Sequence, residues 1–379
     1  MAMAVFFFPN ERFYWDLMIV LYCLLSGLAF GSYLVAMLYY VFGKKELQAL
    51  ARPALLATLS LLAAAPLPLL LHVRGWESLI YIILTPNLSS VIAVLAFTYA
   101  TFLEIVFLSV WFVYRKDLID AAVREKGLKK LWFSLLTAGA CDLSQKALDF
   151  DRKVVFLLMA AGLPTALVYQ FNFGQLFASF PANPWWSSAL MPWIFILSAE
   201  IAGIALTILL YLVVLKIRKK AADDTVILLL SRFLFLSLIL DVGLEFLRIY
   251  NLSAMDAASW TIVKELITGR LWNTYVLSQI LAGSLIPAVL LAVVVFSRAR
   301  GGTLRVLAGF SSLLILLQLT TLRWNVIVGG QMLSKSFSGL KGYSFHWQGL
   351  AGWPGAILFI ALPFIFMYII SKVLLPDPD

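Results

Sequence analysis

The chain has 379 residues, 62% of them apolar and 13% charged, with a formal net charge of +9. That composition excludes an ordinary soluble domain, and several apolar runs exceed the roughly 18 residues needed to cross a hydrocarbon core of about 30 Å. Because a bilayer offers no water to backbone amides, these runs are expected to be helices, and the positive charge marks one face of a membrane protein rather than a nucleic-acid surface.

Nine spans are predicted, at about 13–43, 52–72, 89–114, 153–172, 187–215, 225–249, 272–297, 303–322 and 354–375, giving an all-α polytopic membrane protein. The connections 44–52, 115–153, 216–224 and 298–305, with the C-terminal tail, hold 20 of the 29 Lys and Arg residues. This bias predicts a cell-membrane protein with its N-terminus outside and its C-terminus in the cytoplasm. Met1 to Pro9 lacks a basic segment and a small-residue cleavage site, so no cleavable signal peptide is expected. Cys23 in the first span and Cys141 in a basic connection are not expected to form a disulfide.

Along the chain, Asp16 opens the first span, and His72, followed by Arg74, closes the second on the outer side. Asn87, Ser89 and Ser90 start the third, with Trp76 and Tyr81 in the loop before it. A histidine there has the titration range that quinol oxidation or quinone reduction requires, although a lone interfacial histidine is more often a structural hydrogen bonder. Glu104 and Glu200 lie roughly 20 Å from the outer boundary, a depth at which a carboxylate is costly unless paired or wetted. They fit either a proton path or a pair of helix–helix contacts. Between these spans, Lys126 to Ala138 has the pattern of an amphipathic surface helix. Asp241, Glu245 and Arg248 share one face of the sixth span, either as an ion-pair network or as proton-exchanging groups. Arg232 faces away from them. The eighth span runs into RWNVIVGGQ, in which Arg323, Asn325 and Gln331 offer a charge and two amides suited to a lipid-soluble ligand's polar head, with Trp324 as a stacking surface.

Residues 61–105 align without a gap onto 157–201. LLxAAxLPxxL recurs, Pro68 matches Pro164, Asn87 matches Asn183, and Glu104-Ile105 matches Glu200-Ile201. The chain is therefore expected to be one domain over 1–379, with parallel repeat units at about 52–114 and 153–215 and a second bundle at about 225–375. Its two histidines, His72 and His346, both lie near one end of the membrane, and two separated cysteines cannot supply the roughly four thiolates of an iron–sulfur cluster. No haem, cluster or other metal is expected in this chain, and redox chemistry would rest on a diffusible cofactor or a partner's metal.

SGLAFGSYL in the first span, HVRGWESLIYIILTPNLSS around the second outer loop and RWNVIVGGQ after the eighth span together resemble the NrfD/PsrC family of polysulfide-reductase membrane subunits. Longer members have ten spans and short ones eight, against nine here. The resemblance implies a subunit that binds menaquinone or a similar quinone near the outer face and is not catalytic alone. It implies partners too: a ferredoxin-like subunit with four 4Fe–4S clusters on the outer surface and, beyond it, a catalytic or cytochrome subunit. By motif it assigns Arg323, Asn325 and Gln331 to the quinone, and by loop similarity His72, Arg74, Asn87 and Ser89. Glu104, Glu200, Asp241 and Glu245 are proton-transfer candidates from burial alone. Within the family the resemblance leans towards the larger type, similar to the DsrP-like subunit of DsrMKJOP-type sulfur-metabolism complexes; hydrogenase, polysulfide, tetrathionate and thiosulfate reductase subunits stay open. So do a secondary transporter and a purely structural anchor.

Overall fold

The computed structural model describes residues 13–73, 76–297, 299–334, 339–344 and 349–374. Among them, nine helical segments are long and apolar enough to cross a membrane. The chain is an all-α, multi-pass membrane protein. The spans are α1 (Leu17–Tyr40), α2 (Gln48–Ala64) continued by α3 (Pro66–His72), α5 (Val91–Arg124), α7 (Gln145–Ala178), α8 (Met191–Ile217) and α9 (Asp224–Ser253). They continue with a wide-turned stretch Trp272–Leu285 leading into α11 (Ile286–Phe296), then α12 (Gly301–Ile327) and α13 (Trp353–Leu374). Short helices α4 (Trp76–Leu84) and α10 (Ala257–Thr268) fill two connections on the side where α1 begins, and α6 (Gly127–Leu136) lies on the lysine-rich side.

α1 is the central post, buried along nearly its whole length and packed against α2, α3, α7, α8 and α12. Its SGLAFGSYL stretch carries glycines four residues apart, the spacing that lets membrane helices approach closely. At Gly31 it crosses α8 at Gly203: a Cβ on either glycine would lie 2.2–2.6 Å from the other's backbone. Beside this crossing, the hydroxyls of Thr58, Ser60, Ser198 and Thr207 bond carbonyls one turn back on their own helices, so their polar atoms cost the apolar interior little.

The structure differs from the sequence expectation at three places. The predicted connection 115–153 is mostly helix, because α5 runs on to Arg124 and α7 begins at Gln145. An ion pair of Arg115 with Asp151 (3.0 Å) ties these two extensions together past the apolar belt, and Asp117 of the α5 extension pairs with Arg52 of α2 (2.9 Å). The seventh span opens with a π-helical stretch of 14 residues, where Ser278 and Ser284 donate to carbonyls five residues back. The eighth span does not stop at 322: α12 continues to Ile327, which carries Arg323 inside the protein rather than to its surface.

The Asn residues matched by the repeat make the same local turn. Asn87 accepts from the Ser89 amide and Asn183 from the Trp185 amide, each at 3.1 Å. The matched glutamates differ. Glu104 is exposed on α5, whereas Glu200 is half-buried on α8 and accepts from Ser237 of α9.

Candidate functional site

The end of α12 is built by a clamp. In the segment 179–190, the Trp185 and Trp186 indoles donate to the carbonyls of Asn325 (2.9 Å) and Val326 (2.7 Å), and the Asn183 amide donates to that of Gly330 (2.8 Å). Gly330 has to be glycine, because a Cβ there would lie 2.0 Å from the Trp186 indole nitrogen. These bonds satisfy carbonyls that a helix end leaves open, and they fix the direction of Arg323 and Asn325.

Arg323 is completely buried. One guanidinium nitrogen donates to the Phe195 carbonyl at 3.3 Å, and the group sits 3.8 Å over the Phe195 ring. The Gln170 amide donates to that same carbonyl at 3.3 Å. On the far side of α12, Gln318 donates to Asp241 and Asn325 to Gln279, both at 2.8 Å. Arg323 Nε and Nη1, Asp241 Oδ1, Gln318 Oε1, Asn325 Oδ1 and Gln170 Oε1 are nevertheless buried without a partner. A buried unsatisfied group costs about 1–3 kcal/mol, so six in one region would consume most of a fold's stability unless water or a ligand's polar atoms meet them. These six atoms, two donors on Arg323 and four acceptors from α7, α9 and α12, are groups that bound water or a ligand's polar atoms would satisfy.

Glu245 and Arg248 lie beside this polar cluster. Arg248 forks onto Glu245 with two bonds of 3.1 Å, donates to the Trp185 carbonyl at 3.2 Å and lies 4.2 Å over the Trp185 ring. Tyr275 donates to Glu245 at 2.6 Å. The π-helical turns keep Tyr275 and Gln279 on one face, aimed at α9 and α12 respectively. Glu245 is thus a saturated member of an ion pair, while Asp241, one turn away, keeps an open oxygen.

Where α1 begins, Asp16 caps the helix by accepting from the Met18 amide (2.9 Å) and lies 3.4 Å from His72 Nδ1. Burial pushes the Asp16 carboxyl up, but the His72 contact and the Met18 and Ile19 amides outweigh it and hold it below its ordinary range. His72 Nε2 has no hydrogen-bond partner among the described residues, and the ring is half-buried. Asp16 and Cys23 are seven residues apart, about 10 Å along α1 at 1.5 Å per residue, and Cys23 lies within the electrostatic reach of Arg323.

Of the residues expected at a quinone, the structure thus places His72 at this half-buried rim and Arg323 and Asn325 in the buried polar cluster. Gln331 differs: its side-chain amide donates to the Trp15 and Ile327 carbonyls and accepts from the Tyr14 and Trp15 amides, so it clamps the chain before α1 and offers no free group. Asn87 and Ser89 bond each other on an exposed loop and do not join Arg323. Trp324 packs edge-on against Tyr343, and Tyr81 is exposed. Arg74, His346 and the Trp76 side chain lie outside the described residues. Gln170, Gln279, Gln318, Tyr275 and Trp185 went unpredicted, although an uncharged amide in a span is itself a signal, since it must find a partner where there is no water. Among the described residues no group of three or more His, Cys, Asp or Glu is placed to hold a metal.

Fold and site define a multi-pass helical membrane protein with a cluster of buried polar side chains and a half-buried histidine near the start of α1. Residues 6–334 match the family described as polysulphide reductase, NrfD, and the chain belongs to that family. It is similar to a selenate reductase subunit from Mesobacillus selenatarsenatis, 28% identical over 327 residues that cover 83% of this chain and 73% of the relative. It is also similar to a putative dimethyl sulfoxide reductase membrane subunit from Halobacterium salinarum, 24% identical over 282 residues, 74% of this chain and 62% of that protein.

Proposed function

We propose that this chain is the quinone-reactive membrane subunit of a respiratory reductase complex, exchanging electrons between a menaquinone pool and an iron–sulfur partner. The observation that carries it is the set of unpartnered buried polar atoms on Arg323 and Asp241, with Arg323 beside Gly27, deeper along α1 than the His72–Asp16 pair. A bound quinone supplies two-electron chemistry coupled to two protons. His72 Nε2 and the rim around Asp16 would hold its polar head. Asp16 orients the imidazole through Nδ1, which leaves Nε2 to donate or accept a proton. Gln331 and the aromatic residues Trp15, Phe177 and Trp186 hold the start of α1 in place. Arg323, Asn325, Gln318 and Asp241 are fully or nearly fully buried, and in this reading they serve protons and water rather than the ring itself.

A proton route toward the lysine-rich side has its groups in order. Glu200 accepts from Ser237 at 2.8 Å, and Ser237 stands one turn from Asp241 on α9. Exposed Glu104 has no part in this line, and Glu245 frames it through Arg248. The basic connections favour the lysine-rich side as cytoplasmic, so His72 faces outward and an electron-carrying partner with 4Fe–4S clusters docks there. The relatives' names favour a complex that reduces an oxyanion or sulfoxide, and a DsrP-like place in sulfur metabolism remains within the same chemistry.

The test is kinetic. In the assembled complex, His72→Ala and Arg323→Gln should each lower quinol-dependent turnover by at least tenfold while all partners still co-purify. Wild-type turnover in both variants would reduce the chain to an anchor.

A further inference from the structure

On the lysine-rich side, α6 folds back along α5 and is fastened there by the Trp111 indole, which donates to the Leu136 carbonyl at 2.7 Å. Phe133 is the side chain that α6 buries against the protein. The opposite face carries Leu128, Leu131, Trp132 and Leu135, which are 85%, 58%, 52% and 67% exposed. Their spacing of three, four and seven residues makes one continuous stripe.

The level of this stripe is fixed by its neighbours. Trp111 lies one turn before Arg115, whose guanidinium pairs with Asp151 of α7 at 3.0 Å. The residue before Asp151, Phe150, is 58% exposed and continues a lipid-facing surface with Phe156 and Leu157. α6 therefore ends, at Leu136, level with the edge of the hydrocarbon belt, and its start lies farther toward the aqueous side. Around it, Lys126, Lys129 and Lys130 are exposed and make no ion pair among the described residues, unlike Arg52 and Arg115, which are paired. An apolar stripe flanked by unpaired lysines at the edge of the bilayer matches acyl chains below and anionic headgroups above.

We propose that α6 and the lysines at 126, 129 and 130 form a binding site for anionic phospholipid in the lysine-rich leaflet, with Leu131, Trp132 and Leu135 inserted among the acyl chains and Leu128 nearer the headgroups. The site is independent of the quinone rim. Through Trp111 it fastens α6 to α5 at the edge of the membrane.

The experiment uses the full chain in lipid nanodiscs, with Cys141→Ser removing the exposed thiol and a spin label on Leu131→Cys or, separately, Lys130→Cys. In discs containing phosphatidylglycerol, the label at 131 should be reached by oxygen and shielded from a water-soluble nickel chelate, while the label at 130 stays open to nickel. Discs of phosphatidylcholine alone should weaken that contrast, as should Lys126→Gln with Lys129→Gln, by about fivefold per lysine removed, for roughly 1 kcal/mol each. Equal nickel exposure at 131 in both lipids would overturn the proposal. So would shielding at 131 that appears only when a soluble partner protein is added, since the stripe would then be a protein interface.

Discussion

Replacing Arg248 by leucine tests whether Glu245 is a structural charge. Arg248 is 2% exposed and spends its donors on two 3.1 Å bonds to Glu245 and one of 3.2 Å to the Trp185 carbonyl. Removing it leaves a buried carboxylate supported by the Tyr275 hydroxyl, and stranding one member of a buried pair costs about 3–5 kcal/mol. The lost guanidinium–Trp185 stacking, worth about 2 kcal/mol when desolvated, places the loss at the upper end. The double variant Arg248→Leu, Glu245→Leu removes both charges and should recover part of that loss, short of the stacking on Trp185 and the bond of Tyr275 to Glu245. Reversible unfolding in mixed detergent micelles measures all three proteins. A single variant that costs less than about 1 kcal/mol, or a double variant no better than the single, refutes the assignment.

Glu200→Gln and Asp241→Asn should slow proton uptake linked to quinol turnover and leave assembly of the complex intact; wild-type proton-to-electron ratios in both would remove the proposed route. Gly330→Ala should cost about 1–3 kcal/mol by forcing the Trp186 indole off the Val326 carbonyl, against no measurable loss for Gly302→Ala, where a Cβ meets open space. The Asp16 carboxyl is held below its ordinary range by His72 and two amides despite its burial, so its contribution to stability is present above the normal Asp range. That contribution should fade as the pH falls through the depressed value, and thermal unfolding of Asp16→Asn should show less loss over the same acid window than wild type.

Apolar runs made the nine spans legible, because each had to be long enough to cross a bilayer. Their ends were not. α5 and α7 continue into water on ion pairs between residues far apart in sequence, such as Arg115 and Asp151, which no local pattern exposes. The same limit applied to RWNVIVGGQ. Its positive charge reads as interfacial from sequence, yet the Phe195 ring and carbonyl make a buried seat for Arg323. The π-helical stretch was hidden as well, since Tyr275, Ser278, Gln279 and Ser284 are spaced in a way that an ordinary helix would also accept. The cluster's other members, Gln170, Gln279 and Gln318, were visible as amides inside spans, but only the fold brings them to one place.

The most direct test of quinone binding at the start of α1 is a photoreactive menaquinone analogue applied to the purified, assembled complex, with the cross-linked peptides identified by mass spectrometry. Labelling should fall on the segments around Asp16 and His72, be displaced by unmodified menaquinone and disappear in His72→Ala. Label confined to another protein of the complex, or label that excess menaquinone fails to displace, would contradict the account.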